Sequence, residues 1–285
     1  MHIIKTFAKF FISLIVLVMC VLAAAHYTGH DKRTYIALQP TDTIHIASRS
    51  FTAEKLAHQY KPEMYLRPNT STPPLKWVWY EATPNDSTID LTYHFAWEDE
   101  INPNKTLHIF YSMFRAAYYG YPLYDIEYFQ VNVNKKNGLV QSLRFETGPD
   151  DNYFPTVVKH IKVNVDRSDD GNYYCGNTLS APIFDSMHVK AGVQTWNHLS
   201  RLLDKNVAAE YSLLQNAPLK FLTDEDFSKY KFVRKSQGDH FTSEDKTKFY
   251  LYTIVLILGA LATLWHILDF KTNFDILNNW FRKGK

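Results

Sequence analysis

The chain has 285 residues and a formal net charge of +2, with no long block of like charge. Nothing in that balance points to nucleic acid, whose recognition needs a concentrated basic face. Only two cysteines occur, Cys20 and Cys175, and Cys20 falls in an apolar segment. A disulfide within the central region and multi-cysteine zinc sites are therefore excluded.

The first predicted element is the apolar segment Phe10 to Ala25, preceded by Lys5 and Lys9. A positive start, an apolar run and Ala23-Ala24-Ala25 fit a cleaved signal peptide. The same run, lengthened by Ile3, Ile4 and Phe7, fits an uncleaved transmembrane anchor. Either reading makes residues 1–26 a targeting element and exports the central region. Residues 26–50 read as an irregular lead-in. Ala53 to Tyr60 predicts a short helix with Thr52 as its N-cap, ended by Lys61-Pro62. Asn69 to Pro74 is a Thr/Pro-rich loop.

Strand patterns come next along the chain. Lys76 to Ala82 is rich in aromatics. Thr88 to Trp97 alternates, with Ile89, Leu91, Tyr93, Phe95 and Trp97 on one face and Thr88, Asp90, Thr92, His94 and Ala96 on the other. That period predicts a half-buried strand. Glu98 to Asn104 is an acidic turn, and Thr106 to Tyr119 reads equally as strand or helix. Tyr124 to Asn134 is a strand, and Asn137-Gly138 is a hairpin signal leading into Leu139 to Thr147. Thr156 to Val165 and Met187 to Trp196 are further strands, with a loop at Asp169 to Asn172. From Asn197 to Gln215, and again from Asp224 to Tyr230, the pattern turns helical. Strands without intervening helices argue against a doubly wound sheet. The expected fold is mainly β: an antiparallel β-sandwich-like exported domain over residues 27–247, with C-terminal helices and flanking transmembrane helices.

Phe249 to Leu268 is 20 residues long and carries no Asp, Glu, Lys or Arg. At ~1.5 Å per helical residue it matches the thickness of a bilayer core. Tyr250, Tyr252 and Trp265 lie near its ends, as interfacial aromatics do. The expected span is residues 248–268. Lys271, Arg282, Lys283 and Lys285 then place the tail, residues 269–285, in the cytoplasm. Phe270, Phe274, Leu277 and Phe281 recur at helical spacing, so that tail reads as an amphipathic helix on the membrane or against a partner. Both ends thus assign residues 27–247 to the extracytoplasmic side, in a periplasm or at a cell surface.

Chemistry concentrates at Asp125-Ile126-Glu127. Residues two apart on a strand share a face, so the two carboxylates point the same way, in line with Phe129, Val131 and Val133. Carboxylates on an apolar face need a cation, a base or water. Ca²⁺ or Mg²⁺ would take such oxygens, with His188 or His198 completing the set. The alternative is that the acids pair with Arg115 or Arg144. His94 and His108 are further candidates for ligand or general base. Glu98, Asp99 and Glu100 with Asn102 and Asn104 read as a loose cation loop or a solvated turn. Trp77, Trp79 and Tyr80, and Tyr118, Tyr119, Tyr121 and Tyr124, read as core or as a stacking platform for sugars or headgroups. No G-x-S-x-G, Gly-rich phosphate loop or H-E-x-x-H occurs.

The stretch Tyr60-Lys61-Pro62-Glu63-Met64-Tyr65-Leu66-Arg67-Pro68, followed by Pro73-Pro74 and Trp77, resembles the opening of the vacuolar protein sorting-associated 62 family. Asp125-Ile126-Glu127 before a strand and hairpin resembles that group and the related necrosis-inducing proteins. The latter carry G-H-R-H-D-W-E on a β-sandwich, with a divalent metal at the acids. The resemblance covers residues 53–147. Aligned on the acids, the motif's histidines fall on Pro122 and Tyr124, and its Trp on Ile126. The resemblance implies a β-sandwich with a metal-capable pocket, acting at membranes or cell surfaces.

Three functions are expected. The first is a membrane-anchored extracytoplasmic domain recognising a glycan, lipid headgroup or partner protein. The second is a metal-assisted hydrolase using Asp125, Glu127 and a histidine. The third is a subunit of a membrane complex, with Gly259, Ala260 and Thr263 as a helix-packing face.

Overall fold

The structure, a computed structural model, describes residues 33, 35–67, 72–109, 111, 112, 124–148, 161–169, 173–175, 178, 179, 189–203, 210–214 and 217–229, with scattered positions in the two apolar segments. Most of both predicted spans, the tail 269–285, Cys20, Tyr118, Tyr119, Tyr121, Arg115, the loop residues Asp170 to Asn172 and His188 lie outside the described residues. The chain divides into two units, one of the apolar termini with residues 117–119, the other of residues 31–116 and 120–239.

In the first unit, Phe11, Ile12, Leu14, Ile15 and Val18, and Ile254, Leu258, Leu261 and Trp265, are helical with exposed side chains. Among the described residues no helix is long and apolar enough to cross a membrane.

The second unit is mainly β. Strands β1 (Thr43–Ile46) and β2 (Arg49–Thr52) form a hairpin where an irregular lead-in was expected. Ala47 and Ser48 both have positive φ, 48° and 66°, the backbone of a tight two-residue turn that matches strand twist. The helix Ala53–Gln59 starts as predicted, with the Lys55 amide donating to Thr52 Oγ1 at 3.2 Å. It buries Ala53, Leu56 and Ala57, and its Ala57 carbonyl accepts from Tyr93 Oη at 2.8 Å.

The remaining strands are β3 (Glu63–Leu66), β4 (Leu75–Pro84), β5 (Thr88–Trp97), β6 (Asp125–Asn134), β7 (Val140–Thr147), β8 (Ile161–Arg167), β9 (Tyr173–Cys175), β10 (Thr178–Leu179), β11 (Lys190–Val193), β12 (Ser200–Leu202), β13 (Ser212–Leu213) and β14 (Leu219–Phe221). They form an eight-stranded sheet, β10-β9-β8-β7-β6-β5-β4-β14, and a four-stranded sheet, β12-β11-β3-β13. The large sheet is antiparallel except where β14 runs parallel to β4; in the small one β11 runs parallel to β3. Ile89, Leu91, Tyr93, Phe95 and Trp97 of β5 and Phe129, Val131 and Val133 of β6 share one apolar cluster with Met64 of β3 and Ala191 and Val193 of β11. The two sheets therefore enclose a common core, the defining feature of a sandwich.

Two expectations are corrected. The pattern after Asn197 is not helical in the described residues: β12 pairs antiparallel with β11, and β13 with β3. Strands of three and two residues are too short to show a period, and ladder pairing overrides local preference. Strand β5 is also not half-buried. Thr92, His94 and Ala96, on its second face, are as buried as the core face. Its position between β4 and β6, with further chain covering the outside, buries both surfaces.

Four tyrosines lie in this interior. Burial raises the pKa of Tyr60 and Tyr173, lifts that of Tyr93 well above 10, and pushes Tyr80 up to about 12, where Glu54 adds a smaller push. A phenol raised in this way contributes stability that is intact below its unfolded value and lost as pH climbs through the folded one. The domain is therefore expected to hold its stability up to pH ~10 and lose it steadily above that. The Tyr80 hydroxyl is buried without a hydrogen-bond partner among the described residues, so Tyr80→Phe removes a polar group that they leave uncompensated. Urea titrations from pH 8 to 12 should show Tyr80→Phe at least as stable as wild type at pH 8 and less steeply destabilised above pH 10.

A candidate site at one end of the sandwich

The β5–β6 register pairs Trp97 with Asp125 and Phe95 with Glu127. Both acids therefore stand on the core face, as their spacing predicts, at the end where β6 begins. Each is 3% exposed. The third contributor comes from the turn between β11 and β12. There His198 has φ +60°, its amide donates to the Thr195 carbonyl at 3.1 Å, and the Leu199 amide donates to Thr195 Oγ1 at 3.1 Å. Thr195 Oγ1 in turn donates to Asn197 Oδ1 at 2.6 Å. This side-chain lacing holds a left-handed residue that is not glycine, a conformation histidine tolerates better than most residues.

The turn delivers His198 Nδ1 to 2.6 Å from Asp125 Oδ2. The imidazole also stacks on the Trp97 ring, with centroids 4.3 Å apart and planes 6° from parallel. His198 is fully buried, and its Nε2 and the neighbouring Trp97 Nε1 have no hydrogen-bond partner among the described residues. Buried polar atoms in native proteins are almost always satisfied, by protein, water or a bound group. The arrangement is thus an oriented imidazole, one nitrogen held by a carboxylate and the other bare. Such a nitrogen can take a proton, accept or donate a hydrogen bond, or ligate a metal.

The other predicted residues separate. His188 lies outside the described residues. His94 faces the opposite side of the sheet, with Nε2 3.3 Å from Glu81 Oε1. His108 sits in the helical residues 105–109, where Ser112 Oγ lies 3.3 Å from its Nε2, and the Asn102 amide donates to its Nδ1 at 3.3 Å. In the acidic turn after β5 the polar side chains go to local partners. Glu98 pairs with Lys76 at 3.0 Å, Asp99 accepts from the Glu100 amide at 2.7 Å, and Asn104 Oδ1 caps the helical turn by accepting from Thr106 and Leu107 amides at 3.1 Å. Arg144 bonds Asn164 at 3.2 Å on the outer face and does not neutralise Asp125. Among the described residues no group of three or more His, Cys, Asp or Glu side chains is disposed to hold a metal ion.

The proposed aromatic platform is hemmed in. Trp79 and Tyr80 are buried, and Trp77 packs edge-on against Trp79 at 5.3 Å and Tyr124 at 4.8 Å, with the Lys220 ammonium 4.6 Å from its centroid.

Sequence reasoning missed a second buried polar cluster, on the outer face of β4 and β5. Glu81, fully buried, receives Tyr35 Oη at 2.7 Å on both oxygens, and Arg33 Nε lies 3.7 Å from it. A glutamate alternating in phase with Trp77 and Trp79 was its only sequence signal.

No protein-family model and no curated protein sequence matches the chain. Solved structures of NLPPya in complex with mannosamine and with glucosamine are similar to it at 12% identity over 78% of this chain and 96% of theirs, with TM-scores of 0.34 and 0.33. A structure described as a toxin fold for microbial attack and plant defense overlaps similarly, with a TM-score of 0.32. These belong to the necrosis-inducing-protein-like group that the sequence resembles. Overlap this loose carries no inference about activity.

Removing one partner of a buried hydrogen bond leaves the other unsatisfied, at a cost of ~1–3 kcal/mol, whereas removing both costs less than the sum. Urea unfolding of His198→Ala, Asp125→Ala and the double variant should therefore show coupling above ~1 kcal/mol. Additive losses would mean that the 2.6 Å contact contributes nothing.

Proposed function

We propose that this protein is a membrane-anchored extracytoplasmic β-sandwich that recognises a glycan at the Asp125–Glu127–His198 end of its core. The observation that carries the reading is the pair of buried ring nitrogens, Trp97 Nε1 and His198 Nε2, without hydrogen-bond partners among the described residues and beside two carboxylates. A sugar hydroxyl donates and accepts at once, so it matches an indole donor, an imidazole and a carboxylate together. Trp97 and Asp125 face each other across β5 and β6, and the turn carrying His198 is laced from within. The polar atoms are thereby preorganised, which lowers the ordering cost of binding.

Anchoring is supported by the uncharged segment Phe249 to Leu268, by Lys5 and Lys9 before the first apolar run, and by the four cationic residues after the second. The exposed helical residues Phe11, Ile12, Ile15, Ile254, Leu258 and Leu261 agree with lipid-facing surfaces. The same rule puts residues 27–247 outside and the C-terminus in the cytoplasm.

A divalent cation is the second reading, favoured by Asp125 and Glu127 sharing one strand face, with His198 as a third ligand or general base. Ca²⁺ or Mg²⁺ would draw on the same oxygens and support hydrolysis instead of recognition.

Calorimetry with a panel of neutral and amino sugars tests the first reading on the full chain in detergent. His198→Gln should weaken sugar binding about tenfold or more, the loss of one buried hydrogen bond. No heat with any sugar, together with a chelator-sensitive melting temperature that Asp125→Ala/Glu127→Ala abolishes, would move the assignment to the metal reading. Deleting residues 269–285 should leave the protein in the membrane fraction after alkaline carbonate washing; release would refute the second anchor.

A further inference from the structure

We propose that Arg33 is a clasp that locks together the two stretches by which the chain enters and leaves the β domain. The proposal rests on the anchoring reading, in which those two stretches lead to the two apolar segments. Arg33 lies eight positions after Ala25, the end of the first apolar run, and Asp224–Lys229 is the last described helix before the second.

The guanidinium distributes its nitrogens among three partners on two pieces of chain, β4 and the outgoing stretch. Nη2 donates to the Leu222 carbonyl at 2.8 Å, Nη1 lies 3.1 Å from Asp224 Oδ1, and Nε lies 3.7 Å from Glu81 Oε2. Its side chain is only 7% exposed and Glu81 is fully buried, so the inner contacts work in a low dielectric. Asp224 is 85% exposed and adds little. The planar group also lies against two rings, 5.8 Å from the Tyr35 centroid and 5.3 Å from that of Phe227, which meet each other edge-on at 6.2 Å. Tyr35 belongs to the incoming arm and Phe227 to the outgoing helix.

Backbone pairing completes the seam. The Leu38 amide donates to the Ala82 carbonyl at 2.8 Å, and the Leu222 amide to the Tyr80 carbonyl at 2.9 Å, so both arms dock on β4. The outgoing helix is nucleated at the same place, where the Asp226 amide donates to Thr223 Oγ1 at 3.0 Å. Glu81 is the floor of the arrangement, since Tyr35, Arg33 and His94 all converge on it. A lysine could not serve, because one ammonium cannot reach a backbone carbonyl and two carboxylates in a plane.

Hydrogen exchange on the full chain in detergent tests the clasp, with peptides covering residues 33–39 and 219–229. Arg33→Gln should speed exchange in both peptides together, by tenfold or more, while peptides of β6 stay protected. Arg33→Lys should do the same to a smaller extent, and it is the variant to use if Arg33→Gln does not fold. Asp224→Asn should leave both peptides unchanged. Loosening of residues 33–39 alone, or of neither peptide, would overturn the proposal. Membrane retention of the same samples is scored separately, so a failure of anchoring reads as release from the membrane with the exchange pattern intact.

Discussion

A carboxylate taken out of water loses several kcal/mol of hydration unless hydrogen bonds and opposite charge replace it. This chain accepts that cost three times within two neighbouring strand pairs, at Glu81, Asp125 and Glu127. For two of them the compensation comes from far along the sequence. Glu81 is met by Tyr35 and Arg33, and Asp125 by His198 from a turn 73 positions away. The long-range contacts that close the domain are therefore also those that make these buried acids tolerable. The apolar core supplies most of the driving force, and the acids determine which segments must arrive where.

The two polar centres differ in what gathers around the acid. Around Glu81 three side chains from separate segments, Tyr35, Arg33 and His94, converge on one carboxylate. Around Asp125 an imidazole is held at one nitrogen and lies flat against an indole ring. Each centre leaves one imidazole nitrogen without a hydrogen-bond partner among the described residues, His94 Nδ1 in the first and His198 Nε2 in the second.

Much of the β architecture was readable in the sequence. The alternation of Ile89 to Trp97 gave β5, the Asn137-Gly138 pair gave the β6–β7 hairpin, and Thr52 gave the start of the first helix. The D-x-E spacing and the candidate ligand His198 nominated two residues that do meet. Other features were not readable, for physical reasons. β12 and β13 are too short to carry a period. His94 was placed on a wet face because a period-2 pattern shows which residues share a side and is silent on what covers it. Arg33 had no local signal, since the Leu222 carbonyl it binds is 189 positions away.

Strand β5 works on both surfaces at once: Phe95 and Trp97 line the core end with the acids, and His94, preceding them in sequence, reaches Glu81 on the other side. Because the side-chain period is two, inserting or deleting one residue there would exchange the surfaces over the rest of the strand. Trp97 would leave the imidazole it stacks on, and His94 would turn into the core. The Asp125 cluster and the Glu81 joint therefore share a reading frame, and a change in the length of β5 would dismantle both at a stroke.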